Sequence, residues 1–158
     1  MDHDSYSDDY IRGILRDVKT VAVVGASPNN VRPRYFVVKY LIEKGFTVVP
    51  INPGHAGGEM LGQKVYASLK DVPEKVDMVD IFRRSEAVPA IVETALAELP
   101  HLKAVWMQIG VENAEAAGMA EARGLRVIQN RCPKIEYQRL FGELRMGGFA
   151  TGLISAKL

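Results

Sequence analysis

The sequence has very little of the residues that build metal sites, disulfides and membrane spans. It contains one cysteine, Cys132, and three widely separated histidines, His3, His55 and His101. A single cysteine excludes an intramolecular disulfide, and neither residue type has the spacing of a zinc site. Apolar runs such as Val21–Val24 are far shorter than the ~20 residues that cross a bilayer. We therefore expect no metal, no disulfide and no membrane partner.

An excess of charge of one sign is also missing. Twenty Lys and Arg against nineteen Asp and Glu leave a net charge of +1. That balance argues against a nucleic-acid binder, although a local basic cluster can still hold a phosphate. The first ten residues contain four aspartates and no Lys or Arg, unlike a secretory signal. We expect a cytoplasmic protein, and its 158 residues predict one domain spanning residues 1–158.

Short apolar runs alternate with helical patterns along the chain. The N-terminal pattern places Ile11, Ile14 and Leu15 on one helix face, with Ser7 as its N-cap. The predicted strands are Thr20–Val24, Phe46–Ile51, Val76–Phe82, Ala104–Met107 and Leu125–Ile128. Further helices are predicted over Pro33–Lys44, after a cap at Ser85, over Glu112–Arg123 and over Ile135–Leu140.

This alternation predicts a Rossmann-like, doubly wound α/β fold with a parallel sheet of about five strands. We expect the strand order 3-2-1-4-5, with an extra N-terminal helix. The core should span about residues 10–140, and the tail, 142–158, stays unassigned. Ligands of such sheets bind at the carboxyl ends of the strands, so the loops that follow the strands are the candidate sites.

The loop after the first strand reads Gly25-Ala26-Ser27-Pro28-Asn29-Asn30. Of the three glycines in the dinucleotide fingerprint, it has only the first. A phosphate could still be bound by backbone N–H groups at the start of the next helix, with a hydroxyl donor from Ser27. A tight turn that needs glycine for its backbone angles explains Gly25 equally well.

The loops after the second and third strands bear on ligand type. Asn52 stands where NAD binders have Asp or Glu. Its neutral side chain argues against binding of an NAD ribose and is compatible with a ribose that carries a phosphate. A plain Asn-Pro turn is the alternative. Arg83 and Arg84 lie before a helix and indicate an anion site, with Phe82 as an apolar wall for adenine. Solvated arginines at the sheet rim are the alternative.

The last two loops offer an amide and a thiol. Gln108 can present its amide to a ligand, and Gly110 permits close backbone approach, whereas Trp106 suits core packing. Basic neighbours could lower the pKa of Cys132. With no histidine nearby in the sequence, a buried, unreactive thiol is favoured.

These segments, in this order, resemble the small single-domain CoA-binding protein family. That family is itself similar to the N-terminal CoA-binding domain of the succinyl-CoA synthetase α subunit. The resemblance covers roughly residues 10–140 and implies a Rossmann-like domain that holds coenzyme A across the carboxyl edge of its sheet. The segments that carry it are Gly25-Ala26-Ser27, Ile51-Asn52-Pro53, Asp80-Ile81-Phe82-Arg83, Trp106-Met107-Gln108-Ile109-Gly110 and Cys132-Pro133-Lys134.

The resemblance also implies which residues contact CoA. The pyrophosphate would meet Gly25, Ala26 and Ser27, with added charge from Arg34. The nucleotide end would be lined by Asn52 and Pro53. The adenosine or its phosphates would be bordered by Phe82, Arg83, Ser85 and Val88, and the pantetheine arm by Gln108 and Gly110.

The expected function is non-catalytic binding of CoA or acyl-CoA, as a sensor, carrier or regulatory module. We expect no second domain with a phosphorylatable histidine, such as succinyl-CoA synthetase needs, and no catalytic residue. An NAD(P)-dependent oxidoreductase, acyl or thiol chemistry on CoA at Cys132, and a protein-interaction module remain alternatives. Homo-oligomerisation is compatible with the sequence.

Overall fold

The computed structural model describes residues 1–142, so the tail lies almost entirely outside the described residues. The strands are β1 (Thr20–Val24), β2 (Thr47–Ile51), β3 (Glu59–Met60), β4 (Gln63–Lys64), β5 (Met78–Ile81), β6 (Ala104–Met107) and β7 (Arg126–Ile128). The α-helices are α1 (Asp8–Asp17), α2 (Pro33–Glu43), α3 (Val88–Glu98), α4 (Ala114–Ala122) and α5 (Pro133–Leu140). Every predicted long strand and helix is therefore present.

Five parallel strands form the main sheet in the order β2-β1-β5-β6-β7. The α/β fold class and the N-terminal helix are confirmed, but the predicted order 3-2-1-4-5 is wrong: the five long strands run 2-1-3-4-5. The segment after β2 occupies that strand's outer edge through one parallel bridge between Ile51 and Tyr66. The Tyr66 N–H also donates to the Pro50 carbonyl over 3.0 Å. The third long strand therefore pairs with the free edge of β1.

The strand order reverses at β1 and β5, which lie side by side with their carboxyl ends at one edge. Such a switch point opens a crevice between the loops that leave the two strands. One loop begins at Gly25 and the other at Phe82. The corrected order thus places these two loops next to each other.

Helices cover both faces of the sheet, which explains why its strands are apolar on both sides. Val21 and Val23 pack with residues of α1, α2 and α5. Ala22 and Val24 pack with residues of α3 and α4. Trp106 is completely buried, which confirms its core position, and its indole N–H donates to the Arg131 carbonyl over 2.9 Å.

One of the two predicted helix caps is present. Ser7 accepts a hydrogen bond from the Tyr10 N–H over 3.1 Å, as expected. The predicted cap at Ser85 is wrong, because a 3-10 turn precedes α3, which begins at Val88. Pro89 suits the first turn of that helix, since it has no N–H to pair and a helical φ.

The rare residue types are spread over the fold. His55 is exposed, and Cys132 is buried as the sequence predicts. Among residues 1–142, no three His, Cys, Asp or Glu side chains come together in a group able to hold a metal ion. No helix in the same part of the chain has the length and apolar character needed to cross a membrane.

Candidate functional site

Three cavities adjoin one another at the carboxyl edge of the sheet. The arginine cavity, of about 490 Å³, is lined by Arg83, Arg84 and Val111 among others. The thiol cavity, of about 500 Å³, is lined by Val31, Arg32, Phe36, Cys132 and Lys134 among others. The α3 cavity, of about 350 Å³, is lined by Gly25, Ile51, Pro53, Leu69 and Ile91 among others.

Shared walls join these cavities into one groove. Arg34, Phe82, Gln108 and Ile109 line both the arginine cavity and the thiol cavity. Arg83 and Ala87 line both the arginine cavity and the α3 cavity. The groove therefore follows the sheet edge across the β1/β5 switch point, and the arginine cavity forms its centre.

Gly25 lies where the loops after β1, β2 and β5 converge. Its φ is +87°, and a Cβ atom on it would lie 2.5 Å from the Phe82 carbonyl oxygen. Its N–H donates to the Ile51 carbonyl over 2.9 Å. Both the backbone angle and the close approach require glycine here. Gly25 is therefore required both for the tight turn expected from the sequence and for the close packing of this loop against Phe82.

Arg34 and Asn52 hold the first loop in place. The Arg34 guanidinium donates to the Gly25 carbonyl over 3.0 Å and lies 5.9 Å from the centre of the Phe82 ring. The Asn52 side-chain N–H donates to the Ala26 carbonyl over 2.7 Å, and its Oδ1 accepts from the Gly54 N–H over 2.9 Å. Both ends of the Asn52 amide are engaged within the protein, so this residue positions the loop.

The rest of the first loop is organised by its own side chains. Ala26 is completely buried. Ser27 Oγ accepts from the Asn29 N–H over 3.2 Å, and Asn29 Oδ1 accepts from the Val31 N–H over 3.1 Å. The Ser27 hydroxyl therefore shapes the turn, although it keeps its O–H as a donor.

The cations of the groove face no acidic partner. Arg83 and Arg84 are exposed, and their side chains form no ion pair or hydrogen bond with another residue among residues 1–142. None of the acidic residues that the structure describes lines any of the three cavities. A groove of one charge sign raises the local concentration of anions.

Gln108 provides a polar atom inside the groove. It is 7% exposed, and its Oε1 has no hydrogen-bond partner in the described part of the chain. Buried polar atoms are normally satisfied, so a ligand N–H is a fitting partner for this oxygen.

Three other residues predicted to contact the ligand, Gly110, Ser85 and Val88, make contacts within the protein. The Gly110 N–H donates to Asn130 Oδ1 over 2.7 Å. Ser85 Oγ accepts from the Glu112 N–H over 3.0 Å, which ties the loop after β5 to the loop after β6. The Val88 side chain is completely buried in the core. The structure therefore does not bring Val88 to the groove.

A buried carboxyl group and a buried thiol lie on the inner side of the site. Asp80 is completely buried, and neither carboxylate oxygen has a partner among residues 1–142. Burial raises the pKa of Asp80 well above its ordinary value. Burial also raises the pKa of Cys132, and the charge of Asp80 adds to the increase, against hydrogen bonds that include one from Gln108. The direction of this pKa shift is opposite to the one that basic neighbours would produce, and it agrees with the buried thiol favoured from the sequence.

Sequence reasoning missed the outer walls of the groove. Ser68 and Leu69, from the segment between β4 and β5, line the α3 cavity together with Ile91. Val31 and Ile109 line the thiol cavity. A usable signal was present for the last two, because both are large apolar residues in loops, where no core position accounts for them.

Relatives of this chain share its whole sheet. Residues 19–138 match the family model described as CoA binding domain. An uncharacterised protein, YneT, from Bacillus subtilis is 36% identical over 128 residues, which cover 80% of this chain and 91% of that protein. A solved structure, a hypothetical protein from Pyrococcus horikoshii, has 40% identity and a TM-score of 0.81, and the match covers 88% of this chain and 95% of that one.

Other relatives are much longer proteins. An ADP-forming acetate–CoA ligase II from Archaeoglobus fulgidus is 35% identical over 156 residues, which cover 94% of this chain and 21% of the ligase. The chain thus corresponds to about a fifth of that enzyme. The family match spans the five strands and the loops that form the groove. The resemblance stated from the sequence is confirmed, and the chain belongs to the CoA-binding domain family.

Proposed function

We propose that the groove binds coenzyme A, and that it does so without catalysing a reaction. One observation carries the proposal: a continuous groove at the switch point is lined by cations, of which Arg83 and Arg84 have no partner among residues 1–142. CoA is an elongated anion with an adenosine 3′-phosphate, a diphosphate and an amide-containing arm. An elongated groove that lacks acidic walls is complementary to such a ligand.

The chemistry of the groove walls indicates how CoA is oriented along the groove. The nucleotide lies in the α3 cavity beside Pro53, within a loop that Asn52 positions. The diphosphate lies over the loop of Gly25, Ala26 and Ser27, which leads from β1 towards α2. Arg34 and Arg83 add charge there.

The pantetheine arm then passes the loop after β6. Gln108 Oε1 accepts from an amide N–H of the arm, which satisfies an oxygen that is otherwise unpartnered. Gly110 leaves the backbone of this loop open to close approach. Phe82 borders the ligand between its two ends, and Ser85 keeps the two flanking loops together.

Binding without catalysis is supported by the low reactivity of Cys132, the thiol that lines the groove. Cys132 is the only cysteine in the chain, and its raised pKa leaves little of the reactive thiolate at neutral pH. Thiol or acyl chemistry at Cys132 is disfavoured for that reason. An NAD(P)-dependent oxidoreductase is disfavoured because the loop after β1 has only the first of the three glycines in the dinucleotide fingerprint. In addition, Asn52 replaces the acidic residue that holds an NAD ribose, and both ends of its amide are engaged within the protein. The ADP-forming acetate–CoA ligases are named as enzymes that use CoA, which agrees with a CoA ligand for the shared segment.

Calorimetric titration of the purified protein with CoA, NAD and NADP at fixed salt tests the proposal. We expect saturable heat with CoA that weakens as salt is added, since the ligand is held by charge. We expect no saturable heat with NAD or NADP. Absence of both heat and thermal shift with CoA would falsify the binding proposal, and saturable NAD(P) binding would favour the oxidoreductase.

A further inference from the structure

We propose that the CoA molecule held here is an acyl-CoA with an apolar acyl group, which lies in the thiol cavity against Val31, Phe36 and Ile109. This inference rests on the proposed function, because it requires CoA in the groove. It adds the class of thioester that the site prefers.

The apolar residues exposed on this chain are concentrated around one cavity. Among residues 1–142, five large hydrophobic side chains are exposed, and three of them line the thiol cavity: Val31 at 75%, Ile109 at 58% and Phe36 at 44% exposure. Single exposed hydrophobic residues are ordinary. Three around one concavity form an apolar patch of the kind that marks a binding site.

The thiol cavity also continues the arginine cavity. Phe82, Gln108 and Ile109 line both. A pantetheine arm that satisfies Gln108 Oε1 has its thiol end at this boundary, so an acyl group on that sulfur extends into the thiol cavity. The inner wall there includes Cys132, whose thiol stays protonated and uncharged at neutral pH because burial raises its pKa.

Two of the three cations that line the thiol cavity are engaged within the protein. Arg34 donates to the Gly25 carbonyl. Lys134 lies with its Nζ 5.9 Å from the centre of the Tyr40 ring. Arg32 is left at the exposed entrance. The exposed side chains of Val31, Phe36 and Ile109 form the apolar part of the cavity wall, and the comparison of octanoyl-CoA with succinyl-CoA below separates their contribution from that of the cations.

Charge complementarity favours this occupant over a second copy of the chain. A symmetric dimer through this face would place the same patch against itself. The cations that line the arginine and thiol cavities would then oppose one another, and none of the carboxylates described in residues 1–142 lines either cavity to offset them. A bilayer is disfavoured as well, because the patch lines a cavity and Gln108 lies inside it, whereas membrane insertion needs a protruding apolar surface.

The first experiment compares affinities of the full chain for free CoA, acetyl-CoA, succinyl-CoA and octanoyl-CoA by calorimetry. We expect octanoyl-CoA to bind about tenfold or more tightly than acetyl-CoA, since several methylene groups leave water. Equal affinities for all four would overturn this inference and leave the proposed function standing. Failure of all four to bind would overturn both. Preference for succinyl-CoA would overturn the apolar assignment.

Matched variants locate the effect. We expect Phe36→Ser and Ile109→Ser to reduce the ratio of octanoyl-CoA to CoA affinity at least about threefold. Phe141→Ser is the control, because Phe141 is 38% exposed and lines a different cavity, so the ratio should not change. Circular dichroism checks that each variant is folded.

Two further outcomes would assign the patch to another occupant. Co-sedimentation with anionic phospholipid vesicles that octanoyl-CoA does not reverse would indicate a membrane surface. Dimerisation that Phe36→Ser abolishes, without any acyl preference, would indicate a second copy of the chain. Either result would contradict the inference.

Discussion

The charged groups at the amino ends of the central strands have partners within the protein, whereas those at the carboxyl ends do not among residues 1–142. We call these ends the amino edge and the carboxyl edge. At the amino edge, Asp77 accepts hydrogen bonds from the N–H groups of Lys19 and Thr20, over 2.9 and 3.0 Å. Lys103 Nζ lies 3.9 Å from the same carboxylate. At the carboxyl edge, Asp80, four residues before Arg84 on the same strand and loop, has no hydrogen-bond partner among residues 1–142.

This difference separates a structural edge from a binding edge. Polar groups at the amino edge satisfy one another and close the strand ends. At the carboxyl edge, the exposed Arg83 and Arg84 are hydrated and have no protein partner among residues 1–142. The buried oxygens of Asp80 and Gln108 have no partner in that part of the chain either, which costs stability. Such a site is complementary to a molecule that brings anions and N–H donors. Paired substitutions at the two edges test the comparison directly.

The largest effect is expected from glycine substitutions at the two edges. Gly25→Ala forces a side chain into a positive φ and against the Phe82 carbonyl, and should lower the free energy of unfolding by roughly 2–4 kcal/mol. Gly45 also has a positive φ, +96°, but apart from its chain neighbours no described atom lies within 4 Å of a Cβ built on it. We therefore expect Gly45→Ala to lower the free energy of unfolding by only about 1 kcal/mol. Urea unfolding measures both. Equal losses would show that the contact with Phe82 has no energetic consequence.

A smaller effect is expected from paired removal of arginines. Arg83→Ala should weaken CoA binding by about 10- to 100-fold, the range for a lost charge-assisted hydrogen bond. Arg126→Ala removes a cation from the amino edge, where it pairs with Asp17 over 3.0 Å, and CoA affinity should stay within about twofold. Calorimetry at two salt concentrations measures both. If the two variants lose affinity equally, overall charge and not the groove attracts the ligand.

The last comparison concerns the pH dependence of folding. The folded-state pKa of Asp80 lies above that of the unfolded chain. The folded protein therefore binds more protons between the two values, and its stability falls as pH rises above about 4, at up to about 1.4 kcal/mol per pH unit. Asp80→Asn should remove that slope. Asp77→Ala should lower stability by about 1 kcal/mol and keep the slope. Urea unfolding at several pH values distinguishes them, and an unchanged slope in Asp80→Asn would disprove this role of Asp80.

Local patterns were enough to predict the elements of the fold. Thr20–Val24 and Ala104–Met107 have the predicted bounds, because continuous apolar runs of this length suit buried parallel strands. Patterns were not enough to predict strand order. The edge beside β2 is taken by a contact between Ile51 and Tyr66, fifteen residues apart, which no periodicity records.

The site shows the same division. The loops after β1, β2, β5 and β6 could be selected from the sequence, since they follow the carboxyl ends of strands. Within them, Asn52 and Ser85 were expected to line the ligand, and both use their side chains to join loops. A short polar side chain can either contact a ligand or join two loops. Its surroundings in the folded protein determine which of these it does.

The sequence by itself determined that this protein is an α/β domain with candidate ligand loops at one sheet edge and too few cysteines for an intramolecular disulfide. Periodicity, composition and motif order are local properties, and they carry that information. The tertiary structure decided which strands are neighbours, which cations lack partners and which apolar loop residues share a cavity. Those properties depend on distances between residues far apart in the chain, as between Gly25 and Phe82 or Val31 and Ile109, and such distances are set by packing of the whole fold.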